Sequence, residues 1–133
     1  MARPIEDKAR DYLINRFSHQ RYAFNGKNPD EQGFDLWMKD KLTGQVTKIE
    51  LKATEGSYRK PSDIFQQLYF SARNEVENFK IGNTKIVRVF LGSTTPRVFL
   101  LDRAILESGA RFEEEFRAKI VGSKNYKAIC EIT

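Results

Sequence analysis

Two neighbouring segments decide the fold: Phe34-Asp35-Leu36-Trp37-Met38 and Gln45-Val46-Thr47-Lys48-Ile49-Glu50-Leu51-Lys52-Ala53. In each segment every second residue belongs to one mainly apolar face, which is the period of a β-strand that buries one side. Residues 41–44 lie between them and end in Gly44, which accepts the positive φ that a tight turn needs. The pattern therefore predicts an antiparallel hairpin.

The apolar side chains also fix the register of this hairpin. Pairing Leu36 with Ile49 lets apolar residues meet along both strands, whereas a slip of one residue sets them against charged side chains. The same register places Asp35 directly opposite Glu50, with Lys52 two residues along on the same face. Burial alone thus predicts that two carboxylates and one ammonium gather on one side of the sheet.

This trio has the chemistry of a metal-assisted hydrolase. Two carboxylates at such a distance repel each other unless a positive charge lies between them. Asp35 and Glu50 suit Mg²⁺, with Mn²⁺ as a substitute, and the carbonyl of Leu51 is a candidate third ligand. Mg²⁺ polarises phosphoryl oxygens and lowers the pKa of bound water. Lys52 can orient that water or stabilise charge in the transition state, so the trio predicts phosphodiester hydrolysis.

The remaining periodicities predict one α/β domain over residues 1–133. Its sheet is expected to be mixed, with an antiparallel meander followed by a strand reached through a parallel crossover, and to be flanked by helices. The predicted helices are 5–18, 62–79 and 110–121, and the further strands are 21–24, 84–91, 97–101 and 126–132.

Composition narrows the function classes. The net charge of +5, from 23 Lys and Arg against 18 Asp and Glu, favours a polyanionic partner such as DNA or RNA. The single cysteine, Cys130, excludes an internal disulfide and indicates the cytoplasm or another reducing intracellular compartment. No run approaches the ~18 apolar residues of a membrane-spanning helix, so no membrane partner is expected.

The spacing of Asp35, Glu50 and Lys52 resembles the signature of a known superfamily, and the strand that carries Glu50 and Lys52 is called the active strand below. Asp35, followed fifteen residues later by Glu50-Leu51-Lys52 on the next strand, is similar to the signature of the PD-(D/E)XK nucleases. Within that superfamily, residues 33–36, 49–54 and 70–76 resemble the NO VEIN carboxy-terminal domain pattern. The resemblance implies a restriction-endonuclease-like core and Mg²⁺-dependent cleavage of nucleic acid. It also implies that Glu6, on the first helix, supports the metal through water.

Four further residues are candidates for nucleic-acid binding. Arg59 and Lys60 follow the active strand in a loop, where cationic side chains can contact phosphates without reading sequence. Gln66 and Gln67 are expected to open the second helix, and some branches of the superfamily carry a glutamine there.

The leading hypothesis is a Mg²⁺-dependent deoxyribonuclease of the endonuclease type, with Asp35, Glu50, Lys52 and Glu6 as its catalytic residues. One alternative is a catalytically inactive nucleic-acid-binding module of the same fold. Another is a homodimeric resolvase or restriction-type enzyme that cuts both strands through two-fold symmetry. The plainest alternative is a solvated strand face, because sheets often expose one charged side. Under that alternative, Glu75 is a charge on the surface of a helix, and the three glutamates at 113–115 form a solvated helix face.

Overall fold

A six-stranded mixed sheet forms the centre of the computed structural model, which describes residues 4–92, 94–114, 118–122 and 126–133. The strands, numbered along the chain, are β1 (Tyr22–Gly26), β2 (Leu36–Asp40), β3 (Val46–Thr54), β4 (Thr84–Phe90), β5 (Arg97–Leu101), β6 (Arg111–Glu114), β7 (Ala118–Val121) and β8 (Ile129–Ile132). Their order in the sheet is β1-β2-β3-β4-β5-β8, while β6 and β7 pair separately.

The strand directions confirm the predicted topology. Strands β1, β2 and β3 form an antiparallel meander, and β4 then lies parallel to β3. Strands β5 and β8 continue the sheet in antiparallel fashion. The chain is therefore a mixed α/β protein, and the parallel step from β3 to β4 is made by the crossover segment 55–83.

The hairpin register is the predicted one. Leu36 pairs with Ile49, and the backbone N–H of Asp40 donates to the carbonyl of Gln45 at 2.8 Å. The ladder begins at Leu36, so β3 extends beyond its neighbour and residues 50–54 have an edge that β2 does not cover.

Alternation along β4 divides the core into two layers. Val87 and Val89 point to the face that is covered by α1 (Pro4–Asp11), which continues as the π-helical turn Tyr12–Arg16. Ile86 and Phe90 point to the opposite face. That face is covered by the 3₁₀ helix Pro61–Phe65, α2 (Arg73–Lys80), α3 (Ala104–Glu107) and the β6–β7 hairpin.

The predicted helix over 62–79 was wrong in its first half. The chain forms the 3₁₀ helix, then an irregular stretch, and α2 begins only at Arg73. The cause is a tertiary contact, because Leu68 and Phe70 exchange backbone hydrogen bonds with β7: Ile120 N–H donates to Leu68 O and Phe70 N–H to Ala118 O. Both side chains are buried on an extended backbone, whereas helical periodicity had predicted burial for Leu68 and not for Phe70.

The predicted helix over 110–121 was also wrong. The described residues form the β6–β7 hairpin, in which Phe112 pairs with Ile120 and both pack against the crossover. Glu113 therefore lies on a strand, and Glu115 falls outside the described residues. The last predicted strand is confirmed over β8, preceded by the 3₁₀ turn Tyr126–Ala128. None of the helices in the described ranges has the length and apolarity to cross a membrane.

Candidate active site

A cleft of about 700 Å³ opens at the edge of β3 that extends past β2. The beginning of α1 borders it on one side and residues 67–75 of the crossover on the other. Most of its polar side chains are charged: Glu6, Asp35, Glu50, Lys52, Glu75 and Arg88, with Gln67, Tyr69 and Ser71 at the crossover side. All four predicted catalytic residues therefore line one cavity.

Asp35 is fixed by two backbone contacts to β3. Its own N–H donates to the carbonyl of Ile49 at 2.8 Å, and its Oδ2 accepts the N–H of Leu51 at 2.7 Å. The carboxylate thus replaces the backbone carbonyl that a continued ladder would have supplied. This arrangement gives the N–H of Leu51 a hydrogen-bond partner at the strand edge and holds the carboxylate of Asp35 in the lining of the cleft.

Glu50 is the buried acid of the site, with only 4% of its surface exposed. Burial raises its pKa to about 9, and the charges of Asp35 and Glu75 act in the same direction, while Lys52 opposes them. A hydrogen bond between the side chains of Glu50 and Asp35 contributes to the increase. The two acids that the register predicted to face each other are therefore in contact.

Glu6 brings a third carboxyl group from α1. Partial burial raises its pKa, and so does Asp35 through its charge and a side-chain hydrogen bond. Arg10, one helical turn along, lowers it and lies 3.7 Å away. Glu6 on α1 and Glu50 on β3 thus both lie beside Asp35, the residue before β2.

Lys52 lies on the same face of β3 as Glu50 and has two acidic neighbours. Its Nζ is 3.3 Å from Oε1 of Glu75 and 3.9 Å from Oε2 of Glu50. It also lies 4.8 Å from the ring centre of Phe70. Ser71 donates its hydroxyl to Glu75 at 2.9 Å, so Glu75 is oriented from one side and holds Lys52 on the other.

The donor set fits a hard divalent cation. Glu6 and Glu50 lie beside Asp35, and their pKa values are raised first by burial and then by the charge of Asp35. A cation between these acids would offset both effects. The N–H and C=O of a strand residue point to the same edge, so the carbonyl of Leu51 faces the edge on which Asp35 lies. Within the described ranges, however, no three acid, histidine or cysteine side chains already surround a common point as in a finished metal site. Glu6 and Glu50 each lie close enough to Asp35 for its charge to raise their proton affinity, and the three acids remain a candidate donor set.

Arg88 is a site residue that sequence reasoning missed. Only 3% of its surface is exposed, and its terminal nitrogen donates to the carbonyl of Gln66 at 2.6 Å. Burial lowers its pKa to about 10. The signal was present in the sequence, because Arg88 is the single charge within the apolar run from Ile86 to Phe90.

The four predicted nucleic-acid contacts lie around a second recess of about 470 Å³ beside the cleft. Arg59 and Lys60 are exposed there. The prediction that Gln66 and Gln67 open a helix was wrong. Both residues lie in the irregular stretch, and Gln67 has a positive φ of 52°. For a residue with a Cβ this conformation costs roughly 1–3 kcal/mol and is typical of functional sites.

Comparison with known proteins adds no relative: no family model matches the chain, and neither a curated protein nor a solved structure matches it. The geometry of the cleft and the residue types within it are therefore the basis for a functional assignment.

Proposed function

We propose that this chain is a Mg²⁺-dependent nuclease with a restriction-endonuclease-like core, which hydrolyses phosphodiester bonds in DNA as an endonuclease. The observation that carries the proposal is the meeting of Glu6, Asp35 and Glu50 beside Lys52 at an uncovered strand edge. The meander followed by a parallel crossover strand supports the fold assignment, because it supplies the same order of elements that the resemblance implies.

The residues divide the work by their chemistry. Asp35, Glu50 and the carbonyl of Leu51 hold Mg²⁺ or Mn²⁺, and Glu6 supports it through water. The ion, when bound, supplies a polarised phosphoryl oxygen and a more acidic water. Lys52 donates to the charge that develops on the phosphoryl oxygens, held in place by Glu75. Hydrolysis adds water across one P–O bond and leaves one hydroxyl end and one phosphate end.

The test is cleavage of single-stranded, duplex and branched DNA, and of RNA, by the purified protein with Mg²⁺ or Mn²⁺. We expect Glu50→Gln and Lys52→Ala each to lower the rate by ~10²–10³-fold. Lys48→Ala is the matched control, because Lys48 lies on the same face of β3 and outside the cleft, above the ring of Phe34. Undiminished metal-dependent cleavage by both site variants would remove the assignment.

A second candidate is a catalytically inactive nucleic-acid-binding module. The recess with Arg59, Lys60 and Arg88 favours it, since these cations can bind phosphates without any contribution from the acids. It predicts salt-sensitive DNA binding and no metal-dependent cleavage, so the same assay separates the two. The homodimeric enzyme stays a prediction. Light scattering with and without duplex DNA measures the oligomeric state that tests it.

A further inference from the structure

Arg88 occupies a defined place beside the candidate catalytic lysine. The parallel register of β3 and β4 pairs Lys52 with Arg88, so both side chains leave the same face of the sheet. Neighbouring strands are about 4.8 Å apart, which sets the two cations side by side. Both line the cleft that contains the acids.

The guanidinium of Arg88 has no acidic partner in the described part of the chain. Its hydrogen bond there goes to the neutral carbonyl of Gln66, and its buried Nε has no hydrogen-bond partner. Burial is what lowers its pKa, and none of the described carboxylates counteracts that effect. A buried charge left in this condition is costly, which makes an arginine at the wall of a cavity a strong receptor for an anion.

Arg88 also stands where two cavities meet. The catalytic cleft and the second recess have Gln67 and Arg88 in common as lining residues. The second recess carries Arg59, Lys60 and one acid, Asp63, whose Oδ2 accepts the backbone N–H groups of Arg59 and Lys60 at 2.8 and 3.0 Å. A chain of phosphates that enters the cleft can therefore continue past Arg88 into a recess bordered by two more cations.

We propose that Arg88 binds an internal phosphodiester of the substrate strand, next to the one that is cleaved, and so directs the backbone from the cleft into the second recess. A guanidinium suits this task because its fork of donors matches two phosphate oxygens. The claim that the adjacent phosphodiester is cleaved rests on the proposed function, whereas the contact between Arg88 and a phosphate does not require catalysis.

A purely structural role makes a different prediction. In that case Arg88 serves to hold the carbonyl of Gln66 and thereby the positive φ of Gln67. Arg88→Met would then lower stability and leave the affinity of the folded protein for DNA unchanged.

The first experiment measures binding without cleavage, by fluorescence anisotropy of labelled DNA in EDTA over a series of salt concentrations. We expect Arg88→Met to weaken binding by ~10-fold and to reduce the salt slope by about 1. Lys85→Met, which removes a cation of β4 outside the lining of both cavities, should bind like the wild type. Unchanged affinity and slope in folded Arg88→Met overturn the proposal. Equal losses with 5′-phosphorylated and 5′-hydroxyl strands support an internal phosphodiester, and a loss confined to the phosphorylated strand overturns it.

A second measurement covers the case in which Arg88→Met does not fold. The Nε–H signal of Arg88 in the wild-type protein, assigned through its own side-chain resonances, is followed by NMR during titration with unlabelled DNA. A saturable shift, absent on titration with potassium chloride to the same ionic strength, supports the contact. An Nε–H signal that does not respond to saturating DNA overturns it.

Kinetics separate this inference from the nuclease assignment. If the wild type cleaves DNA, Arg88→Met should raise KM by ~10-fold with little change in kcat, because the contact exists in both the ground state and the transition state. Cleavage with unchanged KM overturns the role of Arg88 and leaves the nuclease intact. Arg88-dependent DNA binding in a wild type that never cleaves refutes the nuclease and retains the phosphate contact.

Discussion

The ammonium of Lys52 lies closer to Glu75 on α2 than to Glu50 on its own strand, at 3.3 Å against 3.9 Å. The crossover helix therefore positions the cation of β3. Ser71, which begins the approach to α2, holds the other oxygen of Glu75. The position of Lys52 in β3 determines the face of the sheet on which its side chain lies, and the contact with Glu75 on α2 determines where its ammonium lies.

We expect Glu75→Gln to lower kcat for cleavage by ~10–100-fold with little change in KM, because Lys52 loses the partner that orients it. The glutamine keeps an acceptor for Ser71, so the fold should be preserved. Glu77→Gln, at an exposed position on the same helix, is the matched control. Steady-state cleavage kinetics check this, and an unchanged kcat would show that Glu75 does not position the lysine.

Two substitutions at Asp35 should separate its electrostatic role from its structural one. Asp35→Asn keeps an acceptor for the N–H of Leu51 but removes the charge, so we expect loss of Mn²⁺ binding and no loss of stability. Asp35→Ala also leaves that N–H without its partner and should cost about 1–3 kcal/mol in addition. Calorimetric titration with Mn²⁺ and thermal unfolding measure the two effects. Equal stability of the two variants would contradict the structural role.

Local pattern predicted the centre of the fold because both of its determinants are local. The alternation of apolar and polar residues along each strand fixes which face is buried. With a two-residue period, the register that pairs Leu36 with Ile49 buries the apolar faces of both strands. The pattern could not predict the stretch at Leu68, since its backbone partner is β7, fifty residues away in the chain. A helical period of apolar residues was present there, and the distant hydrogen bonds overrode it.

The candidate site divides in the same way. Asp35, Glu50 and Lys52 belong to one hairpin, so the register alone brought them together. Glu75 and Arg88 join them only through the crossover and the parallel pairing of β4. In the sequence, Glu75 resembles any helix surface charge, and its contact with Lys52 cannot be read from its neighbours.

Stability should depend on pH through Asp40, which lies at the end of the hairpin farther from the cleft. Its Oδ2 accepts two hydrogen bonds from Arg21, at 2.8 and 3.0 Å, and these hold its pKa at about 2. The folded chain thus binds this proton less readily than the unfolded chain does. The stability that results is complete above pH ~4 and is lost as the pH falls through about 2.

We therefore expect Asp40→Asn to be less stable than the wild type near neutral pH, with a difference that shrinks below pH ~4. Urea unfolding over a pH series measures this. Asp30→Asn, at an exposed loop position, should show no such trend. Because Arg21 is partly exposed, the difference should also decrease at high salt. A difference independent of pH would contradict the role of the Arg21 contact.

Gly92 should be intolerant of any side chain, because the chain after β4 passes directly against the loop after β3. Its N–H donates to the carbonyl of Gly56 at 3.2 Å, and an added Cβ would lie 2.7 Å from the carbonyl carbon of Gly56. It would also meet the carbonyl oxygen of Glu55. These are backbone atoms, so relief requires the loop itself to move.

We expect Gly92→Ala to cost about 1–3 kcal/mol of unfolding free energy, as overpacked sites do. Gly122→Ala is the control, since a Cβ there meets no atom of the described residues within 4 Å. Thermal and urea unfolding compare the two variants. The displaced loop leads into Arg59 and Lys60, so Gly92→Ala should also weaken DNA binding in EDTA, while Gly122→Ala does not. A Gly92→Ala protein as stable as the control would contradict the close approach of the two loops.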